Sequence, residues 1–377
     1  MKIHLILLFT LIVFGLQAQD RMSPELLWEL GRVGPIGLTI DGQSVIYSVS
    51  HYNVAESSRS SKIYQLSIKG GEAKELSEIP ASLLPDRNLS PNKAFSLSTR
   101  DIKVKSVTGK DFYPEMKESN VYIYDNLNQR HWDTWEDGMY NHIFFNSTAT
   151  DEVEGEVDIM EAEPYDCPQM PFGGEEDYCW SPDSKKILYV SKKKYGTEYA
   201  ISTNTDIYAY DIATKKTTNL TEGMPGYDMA PAFSSKGIFT WLSMSREGYE
   251  ADKSDIYILQ NDKRINLSKD WDGTVHSFIW SKDGSKIYFT APINGTEQIF
   301  ELMPAKSDKE KSAIKQLTKG QFNITSFVGQ TGMTMFVTRT DMNHANEIYA
   351  VDLASGSMNQ MTNVNDAIYN KIKLSKV

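Results

Sequence analysis

The sequence is poor in several features, and each absence narrows the choice of function. Only two cysteines occur in 377 residues. Neither lies in a CxxC motif or a Cys/His cluster, so a zinc site is not supported. Positive charge is also scarce, since 39 Lys and Arg stand against 50 Asp and Glu, for a formal net charge of −11. Because a nucleic-acid surface needs clustered Lys and Arg, this balance argues against nucleic acid as the main partner.

Familiar catalytic and cofactor motifs are missing as well. The chain contains no G-x-S-x-G nucleophile elbow, no HExxH, no P-loop and no GxGxxG. Its six histidines have no spacing typical of a metal site. We therefore expect no catalytic residue, no metal ion and no cofactor. A Ser-His-Asp triad can be scattered along a chain, so the missing elbow alone does not exclude one.

Only one long apolar run is present, and it lies at the N-terminus. Lys2 is followed by the apolar stretch 3–14, and the small Ala18 precedes the polar Gln19. This order is typical of a secretory signal peptide over residues 1–18. An uncleaved membrane anchor is the alternative, although the run is short for a span. We therefore expect an exported protein, periplasmic or secreted, with no membrane span after cleavage.

The sequence does contain a repeat. A hairpin motif, in which a polar turn feeds an apolar strand, recurs as LTIDGQSVIYSV, LSPNKAFSLST, YCWSPDSKKILYV and IWSKDGSKIYFT. A strand of the form x-Ile-Tyr recurs at Asp206, Asp255, Gln298 and Glu347. A short Leu-Thr ending, or a close variant of it, recurs at Leu220, Leu267, Leu317 and Met361. These three sequence motifs keep nearly the same spacing through four units of about 40 to 50 residues, which indicates a true structural repeat.

Each unit predicts four short antiparallel strands, which is the pattern of one β-propeller blade. A lone blade leaves two apolar faces exposed, and stacking blades in a ring buries these faces against their neighbours. We therefore predict an all-β propeller over residues 36–365. Trp180, Trp241 and Trp280 occupy repeat positions, so we expect them in the core between blades rather than in a ligand cage.

The earlier units are less regular than the last four. Strands around Ile63, Val121 and His142 supply a first, a second and a degenerate third unit, which makes seven four-stranded blades in total. A short helical lead-in is predicted for residues 19–35, because Ser-Pro begins an apolar-periodic stretch. Residues 366–377 are predicted to add a closing strand or to begin a linker.

The two cysteines and an acidic loop are the local features that remain. Cys167 and Cys179 bracket a Pro- and Gly-rich stretch, and in an oxidising compartment either a disulfide or two buried thiols is expected. No Lys or Arg occurs from His131 to Ser184, whereas fifteen Asp or Glu do. This window is either an acidic, solvated insertion or a cation site.

Within the acidic window, PFGGEEDYCW places Glu175 and Glu176 directly after a Gly-Gly turn. The D-x-D-x-D-G calcium pattern is absent, so we favour an ammonium group over Ca²⁺ as the bound cation. Carboxylates on a rigid turn can hold the free α-amine of a peptide through charge-assisted hydrogen bonds.

Three segments, YCWSPDSKKILYVSKKK, DIYAYDIATKKTTNLT and PYDCPQMPFGGEEDY, resemble exported bacterial peptidases of the prolyl oligopeptidase family. The likeness is to its dipeptidyl-peptidase 5 and acylaminoacyl-peptidase-like group, and it spans nearly the whole chain. The family's N-terminal propeller gates a C-terminal α/β-hydrolase that carries the Ser-Asp-His triad. The resemblance implies a peptide substrate, a hydrolase partner domain absent from this chain, and an amine-binding role for Glu175 and Glu176.

The sequence therefore predicts the gating and substrate-selecting propeller of an exported serine dipeptidyl peptidase, inactive when alone. The alternative is a non-enzymatic, periplasmic TolB-like propeller that acts as a binding scaffold for a protein or a ligand. A propeller glycosidase is a weaker third reading, because that chemistry needs paired carboxylates that face a central pocket.

Overall fold

Short strands dominate the computed structural model of this chain, which describes residues 21–149, 155–305 and 310–376. The signal peptide predicted for residues 1–18 lies outside the described residues. The α-helices are short, namely α1 (Pro24–Glu29), α2 (Gly109–Phe112), α3 (Thr197–Ile201) and α4 (Asp366–Tyr369). No described helix has the length and apolar character needed to cross a membrane.

Among the described residues, the strands form six consecutive antiparallel sheets, which we number as blades 1 to 6, and one separate two-stranded sheet. Blades 1 to 3 and the separate hairpin inserted into blade 2 contain, in chain order, β1 (Arg32–Leu38), β2 (Ser44–Asn53), β3 (Ser58–Ser67), β4 (Lys74–Leu76); β5 (Phe95–Lys103), β6 (Arg130–His131), β7 (Thr134–Trp135), β8 (Met139–Ser147), β9 (Val157–Asp158); β10 (Tyr178–Trp180), β11 (Lys186–Ser191), β12 (Asp206–Asp211) and β13 (Lys216–Asn219). The separate hairpin consists of β6 and β7. Blades 4 to 6 contain β14 (Asp228–Phe233), β15 (Phe239–Met244), β16 (Ser254–Gln260), β17 (Lys263–Asn266); β18 (Ser277–Trp280), β19 (Ile287–Ile293), β20 (Thr296–Met303), β21 (Ala313–Gln316); β22 (Asn323–Thr331), β23 (Thr334–Thr340), β24 (Glu347–Asp352) and β25 (Met358–Gln360).

The all-β propeller is confirmed, but the count of seven blades is wrong. In blade 2, β5 pairs with β8 along its whole length, from Phe95 opposite Ser147 to Lys103 opposite Met139. The predicted second and third units therefore belong to one blade. Residues 104–138, which we call the arm, are an insertion that includes the small β6–β7 hairpin. The segment around Val121 has a strand-like pattern, yet it forms only a single bridge, between Thr108 and Tyr122.

The repeated hairpin motif connects the first and second strands of a blade. In blade 3 the Ser181 hydroxyl donates to Asp183 Oδ1 at 2.7 Å and accepts from the backbone N–H of Lys186 at 2.9 Å. Ser281 and Asp283 repeat the hydroxyl-to-carboxylate bond in blade 5, also at 2.7 Å. The Ser-x-Asp sequence thus closes each turn through its own side chains and fixes the register of the two strands.

Five apolar clusters lie between neighbouring blades, as the repeat predicts. Trp180 is in the cluster between blades 2 and 3, Trp241 between blades 3 and 4, and Trp280 between blades 4 and 5. All three tryptophans are buried, which confirms their predicted core position. Among the described residues, no comparable apolar cluster joins blades 1 and 2.

The ends of the chain meet where blade 1 packs against blade 6. Val33 of blade 1 shares an apolar cluster with Phe336 and Ile348 of blade 6, and within the described ranges no strand is exchanged between the two blades. The Asn365 side chain accepts from the N–H of Gly31 at 2.8 Å and donates to its carbonyl at 3.0 Å. These two hydrogen bonds join residues near opposite ends of the chain.

Candidate functional site

The connections that carry the candidate residues lie on one face of the propeller. Because the strands of each blade alternate in direction, the link from second to third strand and the link to the next blade leave from the same edge. We call this edge of the ring the loop face. It carries the arm, the connection 159–177 and the segment 192–205 that contains α3.

Both described ends of the chain also reach the loop face. Trp28 of α1 makes an edge contact with Tyr52, at the end of β2, with ring centroids 5.7 Å apart. Near the other end, Asn343 donates from its side-chain amide to the carbonyl of Ser375 at 2.7 Å.

The two glutamates predicted to bind an amine are exposed on this face. Glu175 and Glu176 begin a 3₁₀ turn, Glu175–Asp177, directly before β10. The Glu175 side chain is 65% exposed, and its Oε2 lies 3.9 Å from Nη1 of Arg87. The Glu176 carboxylate folds back over Gly174. Both carboxylates are therefore open to solvent and accessible to a ligand from outside the ring.

Asp177, which the sequence analysis did not single out, holds this turn in place. It is only 5% exposed, and its Oδ2 accepts from the backbone N–H of Gln169 at 2.8 Å. Burial raises the pKa of the Asp177 carboxyl to about 6. A side chain at Gly173 would collide with this carboxylate and with the Gln169 backbone, so a glycine is required there. The acidic run EED was the sequence signal for Asp177, but this run does not show that the third carboxylate is buried.

The two cysteines are free thiols in this structure, so the disulfide considered for them is not formed. Cys167 packs in the cluster between blades 2 and 3, whereas Cys179 packs against the cluster between blades 3 and 4. The sheet of blade 3 therefore separates them. Burial raises the pKa of the Cys179 thiol to about 12 and that of Cys167 well above its ordinary value, so both stay protonated at neutral pH.

Two carboxylates of the acidic window have cationic partners elsewhere in the fold, since Glu156 lies 2.6 Å from Arg100 and Glu163 lies 2.6 Å from Lys193. Asp158 contacts the buried ring of His142, within the window itself, at 2.9 Å. The window is therefore partly neutralised by residues outside it. No group of three or more metal-binding side chains comes together within the described residues.

Three histidines pair with carboxylates, but the pairs do not form a hydrolytic triad. The pairs are His142 with Asp158, His276 with Glu297, and His344 with Asp341. The other ring nitrogen of His142 contacts the carbonyl oxygen of Glu163 at 2.8 Å. In the described part of the chain, none of these three rings is hydrogen-bonded to a serine hydroxyl.

A cavity of about 440 Å³ opens on the loop face between the arm and blade 3. The arm reaches the PFGGEED loop beside it, because the rings of Trp132 and Phe172 are 5.3 Å apart. Glu136, Tyr140, Asp166 and Tyr199 line the cavity, and none was predicted as a site residue. Burial raises the pKa of the Asp166 carboxyl to about 7 and also raises that of Glu136.

Exposed apolar side chains are concentrated on the loop face. The arm and neighbouring connections contribute most of them, namely Leu27, Trp28, Tyr52, Val54, Phe112, Tyr113, Met116, Val121, Tyr122, Ile123, Leu127, Trp132, Trp135, Met170, Phe172, Tyr195, Ile201, Tyr249 and Met342. The hairpins of the opposite face contribute Ile40, Met303 and Met333. Such an uneven distribution is typical of a surface that is covered by a partner.

Relatives of this chain are peptidases about twice its length. It is 29% identical to dipeptidyl-peptidase 5 of Porphyromonas gingivalis, across 95% of this chain and 58% of that protein. It is 30% identical to dipeptidyl-peptidase 5 of Porphyromonas endodontalis, across 92% of this chain and 56% of that protein. The chain thus spans a little more than half the length of these relatives, and the resemblance inferred from the sequence is confirmed.

The fold has close counterparts among solved structures. Pyrococcus horikoshii acylaminoacyl peptidase superposes with a TM-score of 0.62 at 14% identity, across 92% of this chain and 55% of that one. Its uncomplexed form gives a TM-score of 0.59 at 15% identity. The family model of the TolB beta propeller domain matches residues 178–368, which is half of the chain. The chain therefore belongs to the TolB β-propeller domain family.

Proposed function

We propose that this chain is the gating and substrate-selecting propeller of an exported serine dipeptidyl peptidase. The observation that carries the proposal is the extent of the similarity: nearly the whole chain matches dipeptidyl-peptidase 5, but only 58% of that relative is matched. The catalytic hydrolase would lie in the remaining part of the enzyme. This chain would restrict which peptides reach it.

The loop face is the surface on which we place the hydrolase domain. It carries the exposed apolar side chains, both described chain ends and the exposed Glu175–Glu176 pair. A partner domain seated there would cover these apolar groups and would enclose the carboxylates in a cavity between the two domains. Lower dielectric in such a cavity would strengthen the attraction between carboxylates and an ammonium group.

In this arrangement the propeller binds and orients the peptide, and the hydrolase performs the chemistry. Glu175 and Glu176 would accept hydrogen bonds from the α-ammonium group of the substrate. When the α-ammonium group is held at a fixed distance from the catalytic serine, only the second peptide bond of the substrate reaches that serine. Cleavage would therefore release dipeptides. Asp177 supports the pair by holding the turn to the Gln169 backbone.

The test is to co-express this chain with a matching hydrolase domain and to follow dipeptide release. In the Glu175→Gln, Glu176→Gln double variant, kcat/KM for a free-amine substrate should fall about 100-fold, with most of the change in KM, because two charge-assisted hydrogen bonds are lost. Glu222→Gln, an exposed glutamate on the same face, is the matched control and should retain wild-type kinetics. Unchanged kinetics in the double variant would show that Glu175 and Glu176 do not bind the substrate amine.

A second measurement tests where the nucleophile lies. A serine-directed fluorophosphonate probe should label the co-expressed hydrolase and leave this chain unlabelled, since serine labelling requires an activated hydroxyl. Labelling of this chain would contradict the division of labour proposed here.

A further inference from the structure

Another cavity opens on the loop face, between the two described ends of the chain. Its volume of about 860 Å³ lies within the range of ligand sites. Its walls come mainly from α1 and the start of β1, from the turn 341–345 between β23 and β24, and from residues 373–376. We call it the end cavity. Both ends of the described chain and blade 6 therefore meet around one space, which the proposed function does not use.

Basic side chains predominate in the end cavity, although the chain as a whole has a formal net charge of −11. Among the described residues, the lining contains a single Asp or Glu and four Lys or Arg, namely Arg21, Arg32, Lys373 and Lys376. Within that part of the chain, none of these four forms an ion pair with a carboxylate. Because like charges repel one another, an anion bound among them would be stabilised.

The carboxylate that lines the cavity, Asp341, is already bonded within its own turn. Its Oδ1 accepts from the backbone N–H of Asn343 at 2.8 Å and from that of His344 at 2.9 Å. The same oxygen contacts Nδ1 of the His344 ring at 2.8 Å. Asp341 therefore stabilises the turn and leaves the basic groups of the cavity without an ion-pair partner.

Hydrogen bonds hold two parts of this basic lining in position. Nη2 of Arg32 donates to the carbonyl of Leu27 at 2.7 Å, which fixes the guanidinium group beside the end of α1. The side-chain amide of Asn343 donates to the carbonyl of Ser375 at 2.7 Å, which places the segment 373–376 along the turn. The charges are thus partly in place before a ligand binds, and this lowers the entropic cost of binding.

Exposed apolar side chains lie among the basic groups. Leu27 is 47% exposed and Met342 is 81% exposed, and both line the end cavity. A small inorganic anion would pair with the charges but would leave these apolar groups in water. A polypeptide segment with both carboxylate and apolar side chains would match the whole lining.

We propose that the end cavity binds an acidic polypeptide segment. Its carboxylates pair with the basic side chains of the cavity, and its apolar side chains cover Leu27 and Met342. Charge complementarity selects this partner, because the net negative charge of the rest of the chain repels an acidic ligand and only a local basic site can hold one. This binding needs no hydrolase domain and is independent of the proposed function.

The test is fluorescence anisotropy of two end-blocked peptides that carry the same neutral dye, titrated with the folded chain in about 50 mM NaCl. The acidic peptide has the sequence Leu-Glu-Glu-Leu-Glu-Glu, and the neutral peptide has glutamine in place of each glutamate. We expect the acidic peptide to bind with a Kd below about 1 mM, at least about tenfold more tightly than the neutral peptide. Raising NaCl to about 500 mM should weaken this binding about tenfold, because exposed ion pairs are screened.

Two double variants, each of which removes two charges at exposed positions, make the proposal falsifiable. Lys373→Gln with Lys376→Gln should weaken binding of the acidic peptide about five- to tenfold, because two ion pairs are lost. Lys185→Gln with Lys282→Gln removes the same charge from hairpin turns on the opposite face, and this matched control should bind as the wild type does.

Competition with inorganic phosphate separates a polypeptide site from a site for any small anion. At constant ionic strength, about 10 mM phosphate should leave most of the acidic peptide bound, since phosphate cannot cover the apolar groups. Full displacement by phosphate would overturn the proposal. Absence of binding of the acidic peptide up to about 1 mM chain, equal binding of the two peptides, or an equal loss of affinity in the two double variants would overturn it as well.

Discussion

At the scale of single residues, Asp228 shows how a buried carboxyl links the stability of this fold to pH. It is fully buried at the start of β14, and its Oδ1 accepts from the indole N–H of Trp241 at 3.0 Å. Its Oδ2 has no hydrogen-bond partner among the described residues. Burial raises the pKa of Asp228 from 3.8 to about 7. Ionisation of this group therefore opposes folding.

The sign of the pH effect follows from the proton balance. Between about pH 4 and pH 7 the unfolded chain loses this proton while the native state keeps it, so the free energy of unfolding falls as pH rises. Asp228→Asn keeps an acceptor for Trp241 but cannot ionise. We expect the stability advantage of the variant over the wild type to grow by about 2 kcal/mol or more between pH 5 and pH 8.

Denaturant unfolding at both pH values measures this difference. Asp262→Asn, which changes an exposed carboxylate in a turn, is the control and should leave the pH profile unaltered. A variant Asp228→Asn with the same pH profile as the wild type would contradict the prediction.

At the scale of the blade, the hydroxyl of the recurring Leu-Thr ending forms a hydrogen bond that joins the end of the fourth strand to the third strand. We call this hydrogen bond the latch. Thr221, Ser268, Thr318 and Thr362 each use the side-chain hydroxyl to accept the N–H of the isoleucine in the x-Ile-Tyr strand, at 2.8 to 3.0 Å. All four are buried. In blade 3 the Thr221 hydroxyl also donates to Asp206, the residue directly before Ile207. The x-Ile-Tyr strand and the Leu-Thr ending of each repeat are therefore the two partners of one hydrogen bond.

Thr221→Val tests this latch, because valine has nearly the same shape but no hydroxyl. The substitution leaves the buried N–H of Ile207 unpaired, so we expect a loss of about 1 to 3 kcal/mol in the free energy of unfolding. Thr218→Val is the matched control, since Thr218 is exposed on β13 and valine is equally suited to a strand. Equal stability of the two variants, measured by denaturant titration, would show that the hydroxyl does not act as a latch.

At the scale of the whole molecule, the junctions between blades are not equivalent. Five of them contain an apolar cluster, whereas no comparable cluster joins blades 1 and 2 within the described residues. On blade 2, Arg100 stacks on Phe144 and pairs with Glu156. On blade 1, Arg59 donates to the hydroxyl of Ser50 at 2.8 Å. The junction of blades 1 and 2 is therefore expected to be the weakest part of the ring.

Hydrogen exchange under mildly destabilising conditions tests this expectation. Peptides that cover β2, β3 and β5 should lose protection before peptides that cover β15, β16 and β19, because local opening follows the least apolar packing. Uniform protection across all blades would argue that the ring opens only as a whole.

One buried polar side chain, that of Asn365, supports closure of the ring beside the apolar cluster between blades 6 and 1. Asn365→Ala removes both hydrogen bonds to Gly31 and leaves two buried backbone groups unpaired. We expect a loss of about 2 to 4 kcal/mol in the free energy of unfolding, at about 1 to 2 kcal/mol for each group. Asn363→Ala, at an exposed position two residues away, should have little effect in the same denaturation experiment. A loss of similar size in both variants would point to the local chain rather than to ring closure.

The candidate site was predictable only in part. Glu175 and Glu176 directly follow a Gly-Gly pair, and local turn chemistry was enough to place them at the surface. The cavity could not be predicted, because lining residues such as Glu136 and Asp166 are thirty residues apart and border the same cavity only when the arm folds against blade 3. The blade count failed for the same reason, since the strand-like segment around Val121 has no partner strand in the sheet.

The amino-acid sequence by itself determined the propeller, because hairpin turns, alternating strands and buried latches are local patterns that repeat wherever the same residues recur. The tertiary structure alone decided which strands share a blade, which sides of blade 3 receive Cys167 and Cys179, and which carboxylates of the acidic window find a cation. These outcomes depend on distances between segments far apart in the chain. No local pattern encodes such distances.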